Sequence, residues 1–403
     1  MLDRPRKRIY DTILQDHLHR NRQMAFLVGP RQVGKTTVCR TASEQYLDWD
    51  NTDDRAVFLA GPKAVATRIG INRLRPITAA FDELHKFRHW KRFLKGFFDT
   101  YSPDVKVMVT GSSRLDVYRR GGDSLMGRYF QYRMHPFSIA ELASVSLPDP
   151  KRIVRQPTEV AANEWAALWE HGGFPEPFLR RDAGFTLKWN TSRRHQLLRE
   201  DVRDLTEIRE LDQLEVLVGL LGHRSGRQLI YSKLAAEIQI SQDTLRRWIC
   251  TLTSFGLGFV VKPWFRNVAK AIRKEPKWYL RDWSQVPDDG QRVETFMACH
   301  LLKAVDGWND MGLGTFELRY LRDKMQREVD FVVIRDHKPW MLVEAKKHDG
   351  NVGSSLAHFQ KVTKVAHAFQ ALFDADYLQA DCFSEGASWP KTVPMRTLLS
   401  QLM

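Results

Sequence analysis

The octapeptide Gly29-Pro30-Arg31-Gln32-Val33-Gly34-Lys35-Thr36 constrains this chain more than any other segment. It fits the phosphate-loop pattern G-x-x-x-x-G-K-[ST] without a mismatch. The apolar run Met24–Val28 before it predicts a buried strand, and Thr37–Tyr46 after it predicts a helix. Strand, glycine-rich loop and helix in that order place backbone amides at a helix N-terminus, where they can surround a phosphate. The loop residues Gly29, Pro30, Arg31, Gln32, Val33, Gly34, Lys35, Thr36 and Thr37 are therefore the expected nucleotide contacts. Lys35 would reach the β- and γ-phosphates and the Thr36 hydroxyl would ligate Mg²⁺.

Hydrolysis needs an acidic partner at the end of a second buried strand. Ile77-Thr78-Ala79-Ala80-Phe81-Asp82-Glu83 supplies one, with Asp82 on the metal and Glu83 polarising the attacking water. A third strand, Val105–Thr110, runs into Gly111-Ser112-Ser113. Thr110 or Ser112 at its tip would position water between the two motifs; an ordinary strand-to-turn exit is the alternative. Arg128, with Arg114 second, is the expected finger reaching a neighbouring subunit's γ-phosphate, and a finger acting in trans requires an oligomer.

The 62 Lys and Arg against 48 Asp and Glu leave a net charge of +14. Such an excess favours polyanionic partners, nucleic acid first and anionic membrane second. No window approaches the ~20 uninterrupted apolar residues of a membrane span. The basic start Met1–Arg8 lacks the apolar stretch of a signal peptide. The four cysteines, Cys39, Cys250, Cys299 and Cys382, form no C-x-x-C pair, which fits a reducing cytoplasm.

After Pro136 the strand signals stop, and residues 137–212 read as helical with a break at Gly172-Gly173-Phe174-Pro175. In a nucleotide-binding protein this would be a lid, and Arg180, Arg181 or Arg199 could sense phosphate from it. Tyr231–Ile238, a turn at Gln239-Ile240-Ser241 and a helix Gln242–Phe255 have helix-turn-helix spacing. Leu245, Ile249 and Leu252 form the inner face of the second helix; Gln242, Thr244, Arg246 and Arg247 lie outward. Phe259–Phe265 and Lys277–Leu280 are expected to pair as strands. The connection between them carries Arg266, Lys270, Arg273 and Lys274, as a wing on DNA phosphates would. A module for packing or protein partners is the other reading of the same pattern.

Glu328–Arg335 and Pro339–Lys346 predict a hairpin symmetric about His337, which sets Asp330 opposite Glu344 with Lys346 on the same face. Two carboxylates and an ammonium at one sheet edge suit Mg²⁺-dependent phosphodiester cleavage. A surface cluster on an inactive scaffold is the alternative.

The motifs G-P-R-Q-V-G-K-T-T, F-D-E-L-H, V-T-G-S-S, M-G-R and H-G-G-F-P-E-P-F together resemble a family of bacterial and archaeal ATPases. That resemblance, which runs over essentially the whole chain, implies an α/β protein with ATP and Mg²⁺ as cofactors. Its parts would be a P-loop AAA-type core (1–136), a helical lid (137–212), a winged helix (213–284) and a restriction-endonuclease-like α/β domain (285–403). The spacing Asp330-x13-Glu344-Ala345-Lys346 is similar to the PD-(D/E)XK nucleases, with Val329 where the family's proline would stand. The similarity adds Glu294 as a metal-binding carboxylate on the helix Val293–Val305 and Gln360 as a further polar position. The expected function is a cytoplasmic, DNA-binding ATPase that couples nucleotide state to the winged helix and the nuclease-like domain. The alternative is an ATP-driven protein-interaction switch or DNA-binding regulator.

Overall fold

The computed structural model describes residues 6–72, 74–111, 125–202, 208, 210–264, 275–348, 350–384 and 389–403. Ser112, Ser113, Arg114, Arg266, Lys270, Arg273 and Lys274 lie outside the described residues. The chain divides into two compact units, residues 1–136 with 145–147, and residues 137–144 with 148–403.

The first unit is built on five strands: β1 (Met24–Val28), β2 (Gln45–Asp48), β3 (Ile77–Asp82), β4 (Val105–Gly111) and β5 (Tyr129–Arg133). They lie in the order β2-β3-β4-β1-β5, and every pairing is parallel. All five residues of β1 are buried, as expected of a strand covered on both faces. The helix Trp90–Tyr101 buries Trp90, Phe93, Leu94, Phe97 and Phe98, a one-sided stripe at helical spacing. Phe58, Phe81, Phe93 and Phe97 meet there mainly edge to face, with Phe58 and Phe81 centroids 5.3 Å apart.

Parallel pairing has a direct consequence for the site. Val28 lies level with Gly111 and Arg133, and Phe81 with Val109, so β1, β3 and β4 end on one edge. That edge, beyond the carboxyl ends of the strands, is where open α/β sheets bind ligands. The helix expected over Thr37–Tyr46 is shorter, spanning Lys35–Ala42. Ser43 turns extended, and Tyr46 enters β2, where Tyr46 pairs with Ala80 and Asp48 with Asp82. Pairing with β3 overrides the local helical pattern.

The second unit starts with the helices Ile139–Ala143, Ala162–His171, Pro175–Arg180 and Ala183–Gln196, followed by a π turn over Leu197–Val202. At the break between the second and third of these, Gly172 has φ 76°, and a Cβ there would stand 2.4 Å from Asp282 Oδ1. Phe174 and Phe178 are fully buried just beyond it. Glycine is thus required by both backbone and neighbour, and the aromatics anchor the turn.

Helices Tyr231–Glu237 and Gln242–Ser254 follow, with Gln239 left-handed in the turn and the Ser241 hydroxyl accepting from the Thr244 amide at 3.0 Å. Leu245, Trp248, Ile249 and Leu252 face inward. Seven strands then form one sheet: β6 (Gly258–Pro263), β7 (Lys277–Leu280), β8 (Phe316–Arg322), β9 (Glu328–Arg335), β10 (Lys338–Lys346), β11 (His367–Leu372) and β12 (Lys391–Pro394). Their order is β12-β11-β10-β9-β8-β6-β7, with β6 and β7 antiparallel.

The β9–β10 hairpin departs from the expected symmetry at its tip. Asp336 and His337 are both left-handed, and Arg335 pairs with Lys338. A two-residue turn of this kind matches the twist of its strands. An irregularity between Pro339 and Met341 then restores the pairing of Val343 with Phe331. Beyond it the Ala345 amide donates to Asp330 Oδ2 at 2.9 Å, so Asp330 and the Glu344–Lys346 segment do meet.

Candidate nucleotide site and carboxylate cluster

The loop after β1 is shaped by two glycines. A Cβ on Gly29 would stand 2.4 Å from the Met134 carbonyl oxygen, and Gly34 caps the following helix at φ 102°. Between them Gln32 is also left-handed. Lys35 is 6 % exposed, and its ammonium donates to the Gly29 and Pro30 carbonyls at 3.0 and 2.8 Å. Burial lowers its pKa, opposed by the carboxylates of Glu83 and Asp82.

Asp82 ends β3 almost wholly buried. Its Oδ2 accepts from the Thr36 hydroxyl at 2.7 Å and from the Tyr46 phenol at 2.5 Å. Its Oδ1 accepts from the Thr110 hydroxyl and from the Glu83 amide at 3.1 Å. The structure therefore brings Lys35, Thr36, Asp82, Glu83 and Thr110 together at one sheet edge. A hydroxyl and a carboxylate already in contact suit Mg²⁺, whose remaining positions go to phosphate and water. Glu83 is left-handed at φ 53°, with its carboxylate 3.4 Å from Lys86 and 3.9 Å from His85.

Two contributors escaped sequence reasoning. Tyr46 was expected in a helix; from β2 it reaches Asp82, and burial together with that bond pushes its phenol pKa up. Arg8, the last residue of the basic start, is the other. It is 4 % exposed, donating to the Val33 carbonyl at 2.9 Å and the His135 carbonyl at 2.8 Å, and so ties the loop to the segment after β5. A hint was available, since Ile9, Tyr10, Ile13 and Leu14 begin an apolar helical face directly after it. Arg128 makes a two-toothed pair with Asp99 at 2.7 and 3.0 Å on the surface.

In the second unit Gln242, Arg246 and Arg247 are exposed and Thr244 is half-buried. The Arg246 guanidinium stacks 4.2 Å from the Tyr231 ring, and Arg247 donates to the Thr244 hydroxyl at 3.3 Å.

The structure brings the expected metal carboxylates Glu294, Asp330 and Glu344 near one another, with a lysine among them. Among the described residues no three Asp, Glu, His or Cys side chains are arranged to hold a metal ion. Lys277 of β7 lies among the carboxylates, with Nζ 2.9 Å from Glu294, 2.6 Å from Glu328 and 3.8 Å from Asp330. Glu294 also accepts from the Tyr279 hydroxyl at 2.6 Å. Glu344 pairs with Lys346 at 2.7 Å. Burial and the charge on Glu294 raise the Asp330 pKa to about 7, against the pull of Lys277. Burial works against the charge on Lys277, but Glu294, Asp330 and Glu328 outweigh it and hold its pKa up. Gln360 is buried on the helix Ser354–Thr363. The missed signals were a lysine opening the apolar strand Lys277-Trp278-Tyr279-Leu280, and Glu328 two residues before Asp330 on the same strand face.

Residues 21–143 match the AAA domain. The chain thus carries a P-loop α/β core of a kind that supports an ATPase. Residues 162–286 and 289–378 match two further families, each described as a domain of unknown function (DUF8612 and DUF4143). An uncharacterised protein of Mycobacterium tuberculosis is 27% identical over 273 residues, covering 67% of this chain and 56% of that protein. An uncharacterised protein of Methanocaldococcus jannaschii is 23% identical over 288 residues, covering 64% of this chain and 60% of its own length. The chain thus spans somewhat over half the length of these relatives. Among solved structures, the Aeropyrum pernix ORC1 protein in complex with DNA is 13% identical, with 72% of this chain and 90% of that chain covered and a TM-score of 0.31. Cdc6p of Pyrobaculum aerophilum is 12% identical, covering 67% of this chain and 87% of its own, with a TM-score of 0.26. Likeness at this level is too loose to transfer a function. No helix among the described residues is long and apolar enough to cross a membrane.

Proposed function

We propose that this chain is a Mg²⁺-dependent ATPase that binds DNA and uses its nucleotide state to reposition a winged helix joined to a nuclease-like domain. The observation that carries the first half is the bond from the Thr36 hydroxyl to Asp82, beside Lys35, at the carboxyl edge of the parallel sheet. Gly29–Thr37 would hold the triphosphate, and Thr36 and Asp82 would hold Mg²⁺, which offsets charge on the β- and γ-phosphates. Glu83 would orient the attacking water, with Thr110 fixing Asp82 and the Glu83 amide. Arg128, released from Asp99, would serve a neighbouring subunit.

The second half rests on the exposed face of Gln242–Ser254 and on the net charge of +14. Gln242, Thr244, Arg246 and Arg247 would enter the major groove, and Arg266, Lys270, Arg273 and Lys274 would meet phosphates as a wing. A reducing cytoplasm suits the four free cysteines. For the C-terminal domain, the ammonium of Lys277 among the carboxylates favours an inert nuclease-like scaffold over a cleaving one.

Phosphate release by wild type and Lys35→Ala, with and without duplex DNA across a salt series, tests this reading. Release should vanish in Lys35→Ala. DNA affinity should fall on log–log axes with a slope of about −0.9 per phosphate contact and weaken in Arg246→Ala/Arg247→Ala. Release unaffected by Lys35→Ala, or binding indifferent to salt, would sink it.

A further inference from the structure

We infer that Lys277 is the resident cation of the carboxylate cluster and that it excludes a divalent metal ion from it. The inference rests on the nuclease-like reading only in that such a fold would otherwise place a metal there.

The cluster already holds a cation of its own. Lys277 is 3% exposed and bonds to Glu294 and Glu328, with Asp330 close by. The second oxygen of Glu328 accepts from Arg322 at 3.0 Å, and Asp330 Oδ2 accepts from the Ala345 amide. Glu294 takes the Tyr279 hydroxyl on the oxygen that also meets Lys277. Glu294 Oε2, Asp330 Oδ1 and Glu344 Oε2 accept no hydrogen bond among the described residues, and Lys277 is the charge that stands among them. A divalent ion here would sit about 2.0–2.6 Å from carboxylate oxygens of this cluster, its other positions filled by water. It would have to stand beside a buried ammonium of the same sign, which Glu294 and Glu328 hold at 2.9 and 2.6 Å.

Lys277 also cannot easily leave. Its strand is held along both edges, by β6 on one side (Val261 level with Lys277) and by residues 226–229 on the other. There the Trp278 amide donates to Arg227 at 3.0 Å, the Gly226 amide to Trp278 at 2.7 Å and the Leu229 amide to Pro276 at 2.8 Å. The ammonium is thus delivered by fixed backbone, and a single monovalent charge links β7, β9 and the helix Asp289–Asp310. The cluster is a joint between these elements, built where a metal site would stand.

The test is a Mn²⁺ titration of the full chain without nucleotide, followed by the paramagnetic signal of free Mn²⁺. All proteins carry Asp82→Asn, so that the phosphate-loop edge cannot contribute. With Lys277 present, and equally in Lys277→Arg, no Glu344-dependent Mn²⁺ site should appear. Lys277→Met should gain one at least tenfold tighter, lost again on adding Glu344→Ala. Mn²⁺ binding with Lys277 in place that disappears in Glu344→Ala would overturn the inference, and this comparison decides the matter even if Lys277→Met fails to fold. A Lys277→Met protein that folds and gains no site would overturn it too. Since no nucleotide is present, failure of the ATPase proposal would leave the result unchanged.

Discussion

Replacing Arg8 by methionine removes its side-chain hydrogen bonds to the Val33 and His135 carbonyls while keeping an unbranched stem of similar reach. Both acceptors, the Val33 and His135 carbonyls, lie where water does not replace the guanidinium. A buried acceptor left unsatisfied costs about 1–3 kcal/mol, so the pair predicts a loss of roughly 2–6 kcal/mol. The Arg8 amide bond to Asp11 is backbone and survives, so the start of the helix Ile9–Arg20 should persist. For a unit of this size about 3 °C of melting temperature is lost per kcal/mol, giving a drop on the order of 6–18 °C. Val33 belongs to the phosphate loop, so the loss should also appear in binding. The protection ATP gives, about 2.7 kcal/mol at a hundredfold excess over Kd, should shrink in the variant at the same nucleotide concentration. Thermal unfolding by circular dichroism with and without ATP, beside a fluorescent-nucleotide titration, measures both effects. An Arg8→Met protein that melts with the wild type and binds ATP equally well would refute the assignment of Arg8 as the loop's internal brace.

Tyr46→Phe deletes one donor to the Asp82 carboxylate, a charged-group bond worth about 1.5–3 kcal/mol. The Mg²⁺ concentration for half-maximal ATP hydrolysis should rise about tenfold or more; an unchanged Mg²⁺ curve would exclude a positioning role. His300 donates from Nδ1 to the Phe296 carbonyl at 2.7 Å, and burial lowers its pKa to about 3. The folded ring stays neutral while the unfolded ring protonates below its ordinary 6.5, so stability is present above pH 6.5 and lost as pH falls toward 3. The loss should approach about 1.4 kcal/mol per pH unit over that window. In His300→Gln the slope of unfolding free energy against pH should flatten by that amount; equal slopes would show that His300 is not the linked group.

What was legible in the sequence was what is local. The buried strand Met24–Val28, the loop after it and the carboxylate closing Ile77–Asp82 could be read because each motif carries its own context within a few residues. The inward set Leu245, Ile249 and Leu252 was legible for the same reason, helical spacing being a local property. The partners reached across the fold were not. Tyr46 sits in a stretch whose helical pattern is overruled only when β3 pairs with it. Arg8 needs Val33 and His135, the latter 127 positions away. The expected hairpin register holds at Phe331 and Val343 and fails at the tip, because the left-handed pair Asp336-His337 and the shift beside Trp340 cancel each other. Lys277 was the largest gap: a lysine opening an apolar strand marks it as unusual, but only the fold brings Glu294, Glu328 and Asp330 around it.

The seven-stranded sheet runs without a break from β12 to β7, and the seam lies where β6 and β8 meet, Lys262 beside Arg319 and Pro263 beside Tyr320. The Trp264 amide closes it on the Tyr320 carbonyl at 2.8 Å, while the Tyr320 hydroxyl reaches back to the Glu275 carbonyl at 2.6 Å. The two regions that match separate families, 162–286 and 289–378, therefore share one ladder of backbone bonds. Cutting the chain between them would bare the rim of β6, an invitation to pair with stray strands. Neither half can be exchanged for a homologue's without refitting the other side of the seam.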